Sequence, residues 1–123
     1  MNRLESLDLS NNPALVYLDC SCNQLTSLYL NENTPLDALI CEENQRWVNV
    51  NSNNQFDLSQ FPGFDVSKAY DWVGGTVDGT VLTFNGYRLN RFDVGAKYSY
   101  QTGLPGYDFV CTLVCENYNS NLE

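Results

Sequence analysis

Histidine is absent from this 123-residue chain, so any chemistry must rest on five cysteines and fifteen acidic side chains. Losing the one group that titrates near neutrality unperturbed removes most general-base, triad and zinc arrangements. Cys20-x-Cys22 has metal-ligand spacing, but no second pair supplies the missing ligands, and neither a metal nor a cofactor is expected. Cys22 is expected near a strand end and partly exposed, the most accessible thiol of the set, with nothing to activate it. Cys111 and Cys115 read as one strand, which sets their Cα atoms about 13 Å apart and forbids a bridge between them. Paired carboxylates such as Asp71 and Asp78 could hydrolyse a substrate only from a cleft that holds them roughly 5 to 10 Å apart. Asp78-Gly79 is better explained as a turn, and no enzymatic activity is expected.

The elements that position these groups follow from an internal copy. Residues 4 to 30 reappear 21 places later, at residues 25 to 51. Leu4, Ser6, Leu7, Leu9, Leu15, Leu18, Cys20 and Asn23 become Leu25, Ser27, Leu28, Leu30, Leu36, Leu39, Cys41 and Asn44. A fixed period of this size marks a solenoid, in which each unit buries its apolar face against its neighbours. Each half-repeat alternates apolar and polar residues at its centre, which is the period of a strand. The predicted coil is therefore strand, turn, strand, turn, with parallel stacking between coils. Cys20 and Cys41 then lie in register about 4.8 Å apart and point into the core as reduced thiols. Asn12, Asn23, Asn33 and Asn44 follow the strands, where a side-chain amide can bond backbone groups left unpaired by the bend. Pro13 and Pro35 fall in turns, where a missing donor does least harm.

The half-repeat Leu15-Val-Tyr-Leu18-Asp-Cys20-Ser-Cys-Asn23-Gln-Leu25 resembles the leucine-rich-repeat pattern L-x-x-L-x-L-x-x-N-x-L, with cysteine for the third leucine. The 21-residue period with one cysteine position per coil is similar to the internalin-J-like repeats of bacterial surface proteins. The resemblance covers residues 2 to 51 and implies a secreted or cell-surface protein that binds other macromolecules. The predicted fold is thus a leucine-rich repeat solenoid, almost all strand and turn, over residues 1–53. Asn2 aligns with Asn23 and Asn44, so the chain reads as the last two coils of a longer array. Self-association through the open face at Leu4, Leu7 and Leu9 is expected from that.

Residues 54–121 carry no copy of the repeat and are expected to form a β-sandwich-like cap or Ig-like module; residues 122–123 read as a cloning remnant. Asp78-Gly79 is a two-residue hairpin signal, a strand is expected around Arg88 to Val94, and a second hairpin is expected through Gly103 to Gly106. Tyr107, Phe109, Cys111, Leu113 and Cys115 share its inner face. A helical turn is expected near Asp65. Residues 56–69, Trp72 and Gly74 to Thr83 also resemble the segment that follows leucine-rich repeats in surface proteins of gut bacteria, which implies a cap without a known chemistry.

Six basic against fifteen acidic residues give a formal charge of −9, which repels phosphate backbones and argues against nucleic acid as a partner. No apolar run of membrane-spanning length exists in the sequence, and no span is expected. If Leu15, Leu18 and Cys20 point inward, Tyr17, Asp19 and Ser21 point outward, beside Ala38, Ile40 and Glu42 of the next coil. This mixed apolar and acidic row suits a basic or amphipathic protein surface. A non-enzymatic protein-interaction scaffold is therefore the expected function. Carbohydrate binding by Trp72, Tyr87, Tyr98, Tyr100 or Tyr107 as stacking platforms is the alternative.

Overall fold

Alternating leucines with β-branched and aromatic neighbours favour short strands, and strands are what the copied segment forms. The computed structural model describes residues 4–122. In its N-terminal part, β1 (Leu7–Leu9) pairs with β3 (Leu28–Leu30), and β2 (Tyr17–Asp19) pairs with β4 (Ala38–Ile40). Both pairs are parallel, and both registers equal the 21-residue shift: Leu7 faces Leu28, and Leu18 faces Leu39.

The third coil position does not extend this stack. The next strand, β5 (Gln45–Val48), carries Arg46 and Trp47 where the copy would have apolar and small residues, and it pairs with a strand from the end of the chain. After β6 (Gln55–Asp57) and two 3-10 turns at Leu58–Gln60 and Val66–Lys68 come β7 (Ala69–Val73), β8 (Gly75–Asp78), β9 (Val81–Phe84), β10 (Val94–Tyr100) and β11 (Phe109–Cys115). They form a mixed sheet in the order β5-β11-β10-β7 and an antiparallel sheet in the order β6-β9-β8. Strand β11 runs parallel to β5, with Thr112 facing Gln45 and Cys115 facing Val48.

The leucine-rich repeat solenoid expected over residues 1–53 is therefore overturned. Among the described residues the chain is a small all-strand protein of four short sheets, with no continuous solenoid and no closed barrel. Each parallel sheet stops at two strands, and backbone of the C-terminal part lies against the second copy instead of a further coil: Leu30 N–H donates to Thr102 O, and Thr112 N–H donates to Asn44 O. A second correction concerns residues 88–93. They form a turn closed by Leu89 N–H donating to Asp93 O at 2.8 Å, with only a single bridge from Arg88 to Val94, and the strand begins at Val94. Asn2 lies outside the described residues, as does Glu123. Leu122 ends a 3-10 turn that starts at Ser120.

One apolar cluster runs from Cys20, Leu25 and Leu28 through Phe56, Leu58 and Phe61 to Phe109, Leu113 and Cys115. Two polar bonds tie its halves: Tyr98 Oη donates to Thr26 O at 2.5 Å, and Leu30 N–H donates to Thr102 O at 2.8 Å. The same leucine types differ in burial by coil. Leu25, Leu28 and Leu30 are buried, whereas Leu4 is 43% exposed and Leu7 and Leu9 are half-buried.

Buried asparagines close the bends. Asn44 Nδ2 donates to Cys20 O at 3.1 Å and Cys41 O at 3.0 Å, while its Oδ1 accepts from Leu25 N at 3.2 Å. Asn23 Nδ2 donates to Cys20 O at 3.0 Å and Ser21 O at 3.2 Å, and its Oδ1 accepts from Leu4 N. Asn12 and Asn33, expected in the same role, are exposed instead; on that side Asn31 Nδ2 bonds Ser10 O at 3.0 Å. The reason is geometric, since the second half of each copy turns into the core while the first turns toward solvent. Replacing Asn44 with Ala leaves the buried Leu25 N–H unpaired and should cost about 3 kcal/mol in urea unfolding. Asn33→Ala should stay within about 0.5 kcal/mol.

Candidate functional site

Parallel register on β2 and β4 sets Tyr17 beside Ala38 and Asp19 beside Ile40. Tyr17 is 56% exposed, Asp19 and Glu42 are exposed, and Ser21, Ala38 and Ile40 are half-buried. Asp19 Oδ1 accepts from Ser21 N at 3.1 Å and from Ser21 Oγ at 2.6 Å. Those two bonds hold the Asp19 carboxyl below the ordinary carboxylate value and keep it anionic. An Asp-x-Ser clamp recurs at Asp8 with Ser10 and Asp65 with Ser67, again with Oγ at 2.6 Å. The Asp-x-Ser spacing of all three is visible in the sequence.

The C-terminal sheet continues this row. Asn44 O accepts from Thr112 N at 3.0 Å, and the Val110 backbone is hydrogen-bonded to the Cys41 thiol, so β11 lies beside the β4 segment. Across the sheet Val110 faces Ser99, which faces Tyr70, and Thr112 faces Lys97, which faces Val73. Inner residues of the same strands, Tyr98, Cys111 and Leu113, are buried. Val110 and Val73 are exposed at 47% and 44%. With Tyr17 and Ile40 they are apolar residues exposed or half-exposed on β2, β4, β11 and β7, with Lys97 and Ser99 of β10 between Val110 and Val73.

A shallow groove of about 290 Å³ lies on this face, lined by Glu43, Asp71, Lys97, Ser99, Val110 and Thr112. Its two carboxylates stand on strained backbone. Glu43 has φ 60° and Asp71 has φ 54°, in the left-handed region that non-glycine residues seldom adopt. At Asp71 the cause is a bulge: the β7–β10 register shifts between Lys97 and Ser99. An extra residue in one strand re-aims the side chains beside it. Asp71 thereby lines the groove, while Trp72 stacks on buried Tyr98 with ring centroids 4.6 Å apart. Nothing in the sequence signals that bulge. Val110 alternates with Phe109 and Cys111, which the sequence places on the inner face, and so reads as outward; Lys97 has no such signal.

The other candidates are spread apart. Tyr98 and Tyr100 are 2% and 0% exposed and so offer no stacking face to a sugar, while Trp72 and Tyr107 are half-buried and Tyr87 is exposed. Asp71 lies on the four-stranded sheet, and Asp78 ends β8 on another. Among the described residues no group of three His, Cys, Asp or Glu side chains is placed to hold a metal ion.

All five thiols are free. Burial pushes Cys20 up to about 11 and Cys111 up to about 12, which leaves both as neutral core groups. Cys22 Sγ donates to Glu43 Oε2 at 3.1 Å, the residue 21 places on. That carboxylate raises the Cys22 pKa by favouring the protonated thiol. The folded thiol therefore carries less thiolate at pH 8 than an ordinary cysteine. Alkylation of native protein with iodoacetamide at pH 8 should be slow at Cys22, and Glu43→Gln should speed it severalfold by letting the pKa fall back. An unchanged rate would remove the carboxylate as the cause.

Comparison with protein-family models, with curated proteins and with solved structures gave no match for this chain, so its function is argued from its own surface.

Proposed function

We propose that this chain is a non-enzymatic protein-interaction element that binds a basic, amphipathic partner through the outer face of β2, β4, β11 and β10. The observation that carries the reading is the nearness of two surfaces. The row Tyr17, Asp19, Ser21, Ala38, Ile40 and Glu42 lies on a sheet next to the one that carries Val110, Thr112 and Lys97, the two linked by Thr112 N–H donating to Asn44 O. Exposed aromatic and branched residues flanked by carboxylates supply desolvation at the centre and charge selection at the rim. The formal charge of −9 strengthens attraction for cationic partners and speeds their encounter. Among the described residues no helix is long and apolar enough to cross a membrane. A place within a secreted or surface-displayed bacterial recognition protein is part of the same proposal, supported by the likeness of the copied segment to surface-protein repeats.

The test is a nitrogen-15 NMR titration with an extended peptide that alternates lysine and valine. Amide shifts should centre on Ile40, Val110 and Lys97. Glu42→Lys and Val110→Asp should each weaken the affinity about tenfold, near 1.4 kcal/mol. Raising salt from 50 to 300 mM should weaken it further, because the exposed charges are screened. Shifts confined to other strands, or variants without effect, would remove this face as the binding surface.

A further inference from the structure

The opposite side of the copied segment carries a second, smaller feature. Leu28 and Leu30 point into the core, so alternation along β3 sends Ser27 and Tyr29 the other way. Ser27 is nevertheless only 1% exposed. The segment around Pro62 and Gly63 covers it, held there because the Tyr29 hydroxyl donates to Gly63 O. The Tyr29 hydroxyl also lies 2.6 Å from Tyr100 Oη, which accepts from Asp65 N at 2.9 Å.

A cleft of about 220 Å³ remains beneath this cover. Ser6 and Asp8 form one wall, Ser27 and Tyr29 the floor, and Pro62 and Gly63 the roof. Ser27 lines the cleft, and its hydroxyl is buried with no hydrogen-bond partner. Buried polar atoms in folded proteins are nearly always paired, so such a hydroxyl marks a place where a polar group belongs.

The chemistry of the lining selects that group. Asp8 Oδ1 accepts from Ser10 N and Oγ, and a carboxylate has about four lone-pair sites, so acceptor capacity is left over. The Tyr29 hydroxyl and Gly63 carbonyl already engage each other. The unspent capacity is thus an anionic acceptor at the mouth and a hydroxyl at the floor, which favours a cationic donor and disfavours anions. The volume is below the roughly 300–1,000 Å³ typical of small-molecule sites, so one head group fits and a cofactor does not. A compact ammonium with three donors suits two acceptors on different walls, whereas a guanidinium needs a planar, two-pronged acceptor. Lys68 Nζ sits 5.9 Å from the Tyr29 ring centroid, a like charge that a bound ammonium must tolerate.

We infer that the cleft between β1, β3 and the Pro62–Gly63 turn is a site for a primary alkylammonium group, such as a lysine side chain, bound between Asp8 and the Ser27 hydroxyl. This site is separate from the face proposed above and stands or falls independently of it.

The test uses the full chain at pH 7 with n-propylamine as the probe and n-propanol as its uncharged counterpart, followed by amide shifts. Propylamine should give saturable shifts at Ser27, Tyr29 and Gly63 in the millimolar range, and propanol should give none there. Asp8→Asn keeps the acceptor for Ser10 but removes the charge, and should weaken the amine at least tenfold while leaving the spectrum folded. Ser27→Ala should weaken it by a similar factor and raise the melting temperature, since it deletes an unpaired buried hydroxyl. Equal shifts with propanol, no saturable shift at all, or an affinity unchanged in both variants would overturn the assignment and leave the cleft to solvent.

Discussion

The pairing of β5 with β11 is the constraint on which the other features depend. Two stacked copies of a 21-residue unit leave their last apolar face open, and the chain closes it with its own C-terminal strand in parallel register from Thr112 with Gln45 to Cys115 with Val48. Parallel pairing between segments so distant in sequence carries a large loop-closure cost, which burial must offset. Phe109, Leu113 and Cys111 on the inner side of β11 supply that burial against the cluster around Leu25 and Leu28. Strands β10 and β7 extend the sheet from β11 by antiparallel pairing.

Side-chain amides do the joining wherever strands end. Asn44 bridges two carbonyls and an N–H of the copied segment. Near the end of the chain, the Asn117 amide exchanges bonds with both the N–H and the carbonyl of Val50, at 2.8 and 2.9 Å. Asn54 does the same to the backbone of Asn119, at 2.7 and 3.0 Å. Each amide imitates a backbone partner at a point where none is within reach. The C-terminal tail is thereby fastened to residues 50–54 by groups that composition would assign to loops.

Local features were legible in the sequence, and long-range ones were not. The period-2 alternation around Leu7, Leu18, Leu28 and Leu39 revealed short strands, and Asp78-Gly79 revealed the β8–β9 hairpin, because both signals lie within a few residues, though the turn itself is Gly79-Thr80 because Asp78 pairs with Val81. The inward face of β11 could be read for the same reason, whereas Tyr98 and Tyr100 of β10, expected as exposed stacking platforms, are buried. A single 21-residue copy could not reveal that the next coil position would be taken by residues 109–115, since nothing in Gln45 to Val48 names a partner sixty-odd positions away. The proposed binding row was half legible: Tyr17 to Glu42 follow from the repeat, whereas Val110 and Lys97 come near them only through that pairing. Asp71 was invisible, because its position depends on a bulge with no composition of its own.

The central claim is that β5–β11 pairing makes the copied segment and the C-terminal strands one cooperative structure. Native-state hydrogen exchange in rising urea tests it most directly, using the amides of Cys20, Asp37 and Leu30 on one side and Thr112 and Glu116 on the other, all of them in backbone hydrogen bonds. The account predicts that their opening free energies converge on one global value. Opening of Cys20 and Asp37 at low urea, while Thr112 and Glu116 stay closed, would contradict it.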